Sequence, residues 1–317
     1  MTSRVAIIMN EAAGGSTTAE MQERITEAFH TRGKEAQLLI ARSGEAIVDL
    51  TRRAVREGAD PVVAGGGDGT INAVASVLVE TDRTLGVLPL GTLNHFAKDL
   101  AIPLDLEGAL RILVAGTVVP VDVGEVNGRI FLNNSGLGLY PKIVRHREKL
   151  QEHLGHGKWP AFLWAVLSVL RRYPFLGVRV STDHDESVRR TPFIFIGNNE
   201  YAIEGFNVGG RARLDAGQLC LYMARRTGRL GLLRFALRAL FGRLRYEKDF
   251  DGLCTAEVFI ETKRSRVHVA TDGEVTVMRT PLHYRVRPGA LRVLVPKQAP
   301  GTGDTSSFPM RTGRNGL

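Results

Sequence analysis

Residues 65–70 read Gly65-Gly66-Gly67-Asp68-Gly69-Thr70 and follow the apolar run Pro61-Val62-Val63-Ala64 without a break. Thr70 then opens an apolar-periodic stretch, Ile71, Val74, Ala75 and Leu78. The order strand, bare loop, helix is hard to fit into anything but an α/β layer. A glycine-rich turn at such a junction leaves backbone N–H groups uncovered, and the helix N-terminus adds roughly half a positive charge, so the site suits phosphate. Asp68 is the unusual member: a carboxylate beside a phosphate cradle repels its ligand unless a metal ion or its water shell bridges the two. The local reading is a site for metal-bound nucleotide phosphate, set against glycines that serve only tight packing. Two better-known phosphate loops are excluded. No G-x-x-x-x-G-K-[ST] occurs in the chain, and counting G-x-G-x-x-G from Gly65 puts Thr70 at the third glycine.

With 317 residues the chain can bury a sizeable core and form two domains. Its two cysteines, Cys220 and Cys254, are far apart in sequence and lack metal-ligand spacing, which fits a reducing compartment. Val5–Met9 is strand-length and runs into Asn10 and Glu11, unlike a secretory leader. The longest mostly apolar run, Trp159–Leu170, falls short of the roughly twenty residues of a membrane span and reads as a buried or interfacial helix. The net charge of +9 is uneven: residues 142–172 carry +5 and residues 225–248 carry +7, so the rest of the chain, with the glycine loop, is mildly acidic.

The first 125 residues alternate strands (5–9, 36–40, 61–64, 85–88) with helices (18–32, 45–57, 70–79, 92–100, 105–115). That alternation predicts a doubly wound, mostly parallel sheet with helices on both faces, and ligands in such sheets bind at the carboxyl ends of the strands. From residue 118 strand-like runs crowd together (118–126, 129–134, 177–182, 192–197, 218–223, 246–250, 255–262, 266–271, 275–278, 282–286, 291–295), some parted by Asn127-Gly128, Asp272-Gly273 and Pro288-Gly289. This predicts a β-rich, antiparallel second domain over 126–288, interrupted by helices near 141–172 and 229–242. The Gly, Thr, Ser and Pro-rich tail, 298–317, reads as disordered.

Three other places carry candidate chemistry. Pro89-Leu90-Gly91-Thr92-Leu93-Asn94-His95-Phe96 follows the strand 85–88, so a second Gly/Thr/Asn loop would lie beside the first, although Thr92 alone could be a helix cap. Asp122 stands amid strand residues, where an acid is disfavoured unless it faces solvent or has a task. Thr271-Asp272-Gly273-Glu274 is either a plain hairpin turn or a turn that projects Glu274 as a general base toward a hydroxyl.

In order and spacing these motifs resemble the diacylglycerol kinase catalytic family, which includes bacterial lipid kinases and sphingosine kinases. The resemblance covers roughly residues 3–296 and rests on Gly65–Thr70 with Ile71-Asn72, on Leu88-Pro89-Leu90-Gly91-Thr92-x-Asn94-x-Phe96-Ala97, on Asp122 and on Asp272-Gly273-Glu274. It implies a nucleotide domain, 1–125, to which a strand near 289–296 returns, and a cleft between that domain and the second. It implies that ATP is held by Gly65, Gly66, Gly67, Asp68, Gly69, Thr70, Asn72, Gly91, Thr92 and Asn94. It also implies that Asp68 and Asp122 organise Mg2+ through water, and that Glu274 accepts the proton of the attacking lipid hydroxyl. The chemistry is coherent by itself, because phosphoryl transfer needs positioning and charge neutralisation more than covalent help.

The chain departs from the family pattern at three points. His95 stands where many bacterial members have an acid of the magnesium network. Asp215-Ala216-Gly217 replaces an Asp-Asp-Gly segment whose second acid binds a structural metal. Glu11 follows Asn10 where proline is usual. Between Arg229 and Lys248 leucines and phenylalanines interleave with arginines, and Arg234, Arg238 and Arg245 share one helical face, either the solvated side of a core helix or a docking face for an anionic membrane. The expected protein is a cytoplasmic, peripherally membrane-associated, ATP- and Mg2+-dependent lipid kinase acting on a diacylglycerol- or sphingoid-like hydroxyl. It has no nucleic-acid partner, and a homodimer is compatible with the reading. The alternatives are a kinase of a soluble hydroxyl compound, since NAD kinases share Gly-Gly-Asp-Gly, and a homologue that binds nucleotide or lipid without catalysis.

Overall fold

The computed structural model describes residues 4–11, 19–138, 176–182, 185–204, 207–224 and 250–297. Its first lobe runs β1 (Arg4–Asn10), α1 (Ala19–His30), β2 (Glu35–Ala41), α2 (Gly44–Arg56), β3 (Val62–Gly66), α3 (Asp68–Leu78), β4 (Thr84–Pro89), α4 (His95–Asp99) and α5 (Leu106–Ala115). The strands pair in parallel in the order β2-β1-β3-β4. β3 and β4 are buried along their whole length, as strands covered on both faces by helices must be. α2 turns Ile47, Thr51 and Ala54 inward and is capped by Ser43, whose hydroxyl accepts from Ala46 N. α1 buries Ile25 and Phe29, and packs beside α5.

Two helix starts differ from the sequence expectation. α3 begins at Asp68 rather than Thr70, because β3 continues through Gly65 and Gly66 and Gly67 serves as the N-cap. α4 begins at His95 rather than near residue 92, because Asn94 adopts a left-handed backbone (φ 50°) that a helix cannot continue through.

The second lobe is antiparallel, as the turn-rich sequence implies. It comprises β5 (Thr117–Val126), β6 (Arg129–Phe131), β7 (Asn134–Gly138), β8 (Leu176–Ser181), β9 (Glu186–Thr191), β10 (Phe193–Asn198), β11 (Tyr201–Glu204), β12 (Asn207–Arg211), β13 (Leu219–Ala224), β14 (Phe250–Thr255), β15 (Glu257–Thr262), β16 (Arg266–Thr271), β17 (Glu274–Arg279) and β18 (Leu282–Val295). A six-stranded sheet ordered β14-β13-β10-β7-β16-β17 packs against β8, β15 and the first half of β18. Ile194, Leu221, Ile260, Val269 and Tyr284 lie in the core between them.

β18 joins the lobes. Val258 pairs with Tyr284 in its first half, and Arg292 pairs in parallel with Thr84 in its second. The sequence reads as two strands here, 282–286 and 291–295. The structure makes one bent strand, because Gly289 takes φ 58° at the bend while β5 stays paired on both sides of it. β7, β9 and the β11–β12 pair were not foreseen; residues 134–138, rich in glycine and polar side chains, read as a flexible loop and form β7. β9 is a polar edge strand with little apolar alternation, and β11–β12 is a short bulged ribbon.

The two cysteines are a correction. Cys220 and Cys254 face one another on β13 and β14 and form a disulfide, so distance in sequence is no guide to two separate thiols and the inference of a reducing compartment loses its premise. The helices expected near 141–172 and 229–242, with Trp159–Leu170 and Arg234, Arg238 and Arg245, lie outside the described residues, as does the tail 298–317. Among the described residues no helix is long and apolar enough to cross a membrane.

Candidate active site

The two loops foreseen at the carboxyl edge of the parallel sheet lie side by side. Gly66 and Pro89 are partners at the ends of β3 and β4, and Leu90 N donates to Gly66 O at 3.0 Å. The contact between the loops is backbone on backbone, since a Cβ on Gly91 would fall 2.4 Å from Gly67 Cα; within the first loop a Cβ on Gly66 would fall 2.4 Å from the Thr70 side chain at Oγ1. Gly67 caps α3 without any side-chain hydrogen bond, so the first-turn N–H groups have no side-chain cap. This is the cradle that a phosphate group fits.

Asp68 does not aim bare charge into that cradle. Its Oδ2 accepts His95 N and its Oδ1 accepts Phe96 N, each at 3.2 Å, so the carboxylate caps α4. His95 therefore contributes its backbone here, while its side chain is exposed. Asn94 is spent on the loop itself: its Oδ1 accepts Gly91 N at 3.1 Å and its Nδ2 donates to Gly91 O at 2.8 Å. Gly65, expected among the nucleotide residues, lies inside β3 with its absent Cβ directed at Met9, short of the loop. Thr70 is buried beside Asn10, and Thr92 is exposed on the second loop. Glu11 pairs with Arg42 at the surface.

The hairpin between β16 and β17 closes the other side. Asp272 (φ 46°) and Gly273 (φ 89°) both have positive φ, the signature of a type I′ turn, and Thr271 faces Glu274 across it. The turn residue has more to do than turn. The Asp272 carboxylate is buried and accepts Leu132 N (2.7 Å), Asn133 N (2.8 Å), Asn134 N (3.0 Å) and Asn72 Nδ2 (2.6 Å). Burial pushes this carboxyl above its ordinary value, and the N–H donors work against that rise. Asn72, expected at the nucleotide, thus has its amide on Asp272.

Glu274 remains open, its side chain 62% exposed, and forms an ion pair with Arg129, which also donates to Thr271 Oγ1 at 3.0 Å. A Cβ on Gly69 would lie 3.6 Å from Glu274 Oε1. The glycine loop and the candidate base therefore stand next to one another, although 205 positions part Gly69 from Glu274 in the sequence.

Asp122 has different surroundings. It is 2% exposed, with Oδ1 accepting Gly289 N (2.9 Å) and Oδ2 accepting Gly217 N (2.6 Å) and Asn199 Nδ2 (3.1 Å). The register pairs Val121 with Leu291 and Arg292 with Thr84, which sets Asp122 level with the start of β4, whereas the glycine loop follows the ends of β3 and β4. Asp122 fastens the bend of β18 to the loop after β12, a task separate from the water-mediated magnesium role that the resemblance implies for it and Asp68. Ala216 joins that loop through its N–H to Asn199 Oδ1 (3.1 Å), and Asn198 Oδ1 nearby is buried without a partner among the described residues, a place for water. No group of three or more His, Cys, Asp or Glu side chains among the described residues could hold a metal. Magnesium usually takes one or two carboxylates and completes its shell with phosphate oxygens and water, and Asp68 at the loop fits that pattern.

Sequence reasoning missed a buried pair. Arg211 reaches Asp99 of α4 (2.8 Å) and also donates to Leu132 O (2.6 Å), Asn198 O (3.0 Å) and Asn133 Oδ1 (2.9 Å). Its guanidinium ties α4, which Asp68 caps, to the loop that donates to Asp272. Arg129 was missed too; neither arginine carries a local signal, because most of their partners are distant in sequence.

Residues 4–126 match the family model described as the diacylglycerol kinase catalytic domain, and residues 146–295 match the YegS C-terminal NAD kinase beta sandwich-like domain. A Pseudomonas aeruginosa protein named "Probable lipid kinase YegS-like" is 32% identical over 79% of this chain and 82% of its own length. A Staphylococcus aureus diacylglycerol kinase is 36% identical over 42% of this chain and 43% of its own length, and a Klebsiella pneumoniae YegS-like protein is 46% identical over 30% and 34%. For the last two the matched stretch is thus less than half of the relative. A Bacillus anthracis diacylglycerol kinase crystal structure superposes with a TM-score of 0.69 at 21% identity, covering 92% of this chain and 97% of that one, which shows a shared fold.

Proposed function

The chain belongs to the diacylglycerol kinase catalytic-domain family, and from that premise we propose that it transfers the γ-phosphoryl group of ATP to a hydroxyl of a diacylglycerol- or sphingoid-like lipid. Kinase chemistry is what its named relatives share. The observation that carries the proposal is the approach of the exposed Glu274 carboxylate to Gly69, beside a helix start that has no side-chain cap.

In this reading the loop Gly66–Thr70 and the first turn of α3 receive the phosphates, with Thr92 at the rim. The acceptor oxygen attacks the γ-phosphorus, the bond from that phosphorus to the β,γ-bridging oxygen breaks, and ADP leaves. The hydroxyl proton passes to the Glu274 carboxylate, which must come within hydrogen-bond reach of the acceptor. Arg129 steadies that carboxylate through Oε2, while Oε1 is the oxygen nearest Gly69. Magnesium, when bound, would neutralise phosphate charge, with Asp68 the acid placed to hold it through water. The lipid is met at an anionic membrane surface, where the basic stretches 142–172 and 225–248 add attraction.

The test is incubation of the protein with labelled ATP, Mg2+ and a total lipid extract, followed by phase separation. Label in the organic phase is expected. Label confined to water-soluble acceptors would replace the lipid reading with a soluble-hydroxyl kinase, and ATP binding without any transfer would replace it with a non-catalytic binder.

A further inference from the structure

We propose that Asn72 is a positioning residue, whose amide grips Asp272 from the other lobe and so sets where Glu274 stands over the first turn of α3. The inference rests on the reading of Glu274 as proton acceptor, and deepens it.

Asn72 follows Asp68 by four residues and so lies on the same face of α3, one turn below the loop. Its Nδ2 is 2.6 Å from Asp272 Oδ2, a short bond with a charged acceptor. Three of the four donors to Asp272 are backbone N–H groups of residues 132–134 in the second lobe; the fourth, Asn72, comes from the first. Asp272 is the first central residue of a two-residue turn with fixed backbone angles, and Glu274 follows the second. A displacement of the carboxylate therefore carries the base with it. Arg129 holds Thr271 and Glu274 on the two sides of the same turn, and Asn72 ties that turn to the phosphate helix. A helix residue that only faced nucleotide would not have its donor turned to a buried carboxylate.

Asn72→Ala tests the idea and is expected to fold, because Asp272 keeps its three backbone donors and alanine favours the helix. Turnover with labelled ATP and lipid extract should fall about ten- to hundredfold, the range expected for a base misplaced by roughly 1 Å. The dissociation constant for ATP should stay within about threefold of wild type, and the amides of Leu132, Asn133 and Asn134 should exchange hydrogen faster. Asn72→Asp, which sets a second carboxylate against Asp272, should lose more turnover than Asn72→Ala. Unchanged exchange at residues 132–134 would overturn the tether. A tenfold or greater loss of ATP affinity would make Asn72 a nucleotide contact, and unchanged turnover would end the positioning role. If the wild-type protein transfers phosphate to nothing, the functional reading fails, and the exchange experiment still decides the tether.

Discussion

Substituting Gly91 by alanine adds one methyl group at the point where the two ligand loops touch. The new Cβ would lie 2.4 Å from Gly67 Cα and 2.8 Å from Asn94 Oδ1. Carbon atoms rest at about 3.5–4.0 Å, so the loops must part by roughly 1.1–1.6 Å. The neighbour is backbone and cannot rotate away. Parting strains the Leu90 N to Gly66 O bond and the Asn94 bonds that shape the second loop. Overpacking of this kind costs about 1–3 kcal/mol, or some 2–6 °C in melting temperature for a chain of this size. On the proposed function the functional cost is larger, since a shift of about 1 Å at the proposed phosphate loops would lower turnover roughly a hundredfold. The assays are thermal melting and phosphoryl transfer, with Gly177→Ala as the control, because nothing lies within 4 Å of a Cβ at that strand glycine. A Gly91→Ala protein that melts and turns over like the control would refute the backbone contact between the loops.

Glu274→Gln should fold and bind ATP but lose transfer, and retained turnover would remove Glu274 from the role of base. Arg211→Met leaves Asp99 buried without its cation and should cost about 3–5 kcal/mol in denaturant unfolding, part of it recovered when Asp99→Leu is added; a loss below about 1 kcal/mol would show that the pair is not a lobe tie. The Asp272 carboxyl has its folded value raised above 3.8 by burial, so the stability tied to its protonated form is present below that value and lost as pH rises through the folded one. The melting difference between wild type and Asp272→Asn should accordingly shift against wild type with rising pH, and a flat difference between about pH 4 and pH 8 would contradict the raised value. Binding to anionic vesicles should weaken as salt is raised, because each basic residue near such a surface contributes only about 1 kcal/mol of screened attraction; salt-independent binding would exclude electrostatic docking.

The parallel lobe was legible because its signals are local. Pro61–Ala64 followed by Gly65–Thr70 could hardly be read otherwise than as strand, loop and helix, and the second loop follows its own strand in the same way. Asp272-Gly273 announced its turn for the same reason: asparagine, aspartate and glycine tolerate the positive φ that the turn demands. What Asp272 does with its carboxylate was not legible, since its donors come from residues 72 and 132–134. Asp122 could be read as an acid that either faces solvent or has a task; its partners, Gly217, Gly289 and Asn199, make it a fastener of the β18 bend.

By itself the sequence determined most elements of the first lobe, the parallel or antiparallel character of the two lobes and the edge that carries the glycine loops, because periodicity, glycine and turn chemistry act over a few residues. The folded chain alone decided that Cys220 meets Cys254, that Arg211 meets Asp99 and that Glu274 faces Gly69. Such meetings depend on how β18 bends from one lobe into the other and carries the hairpin across the cleft, and a buried charge can settle only where long-range packing has already gathered its partners.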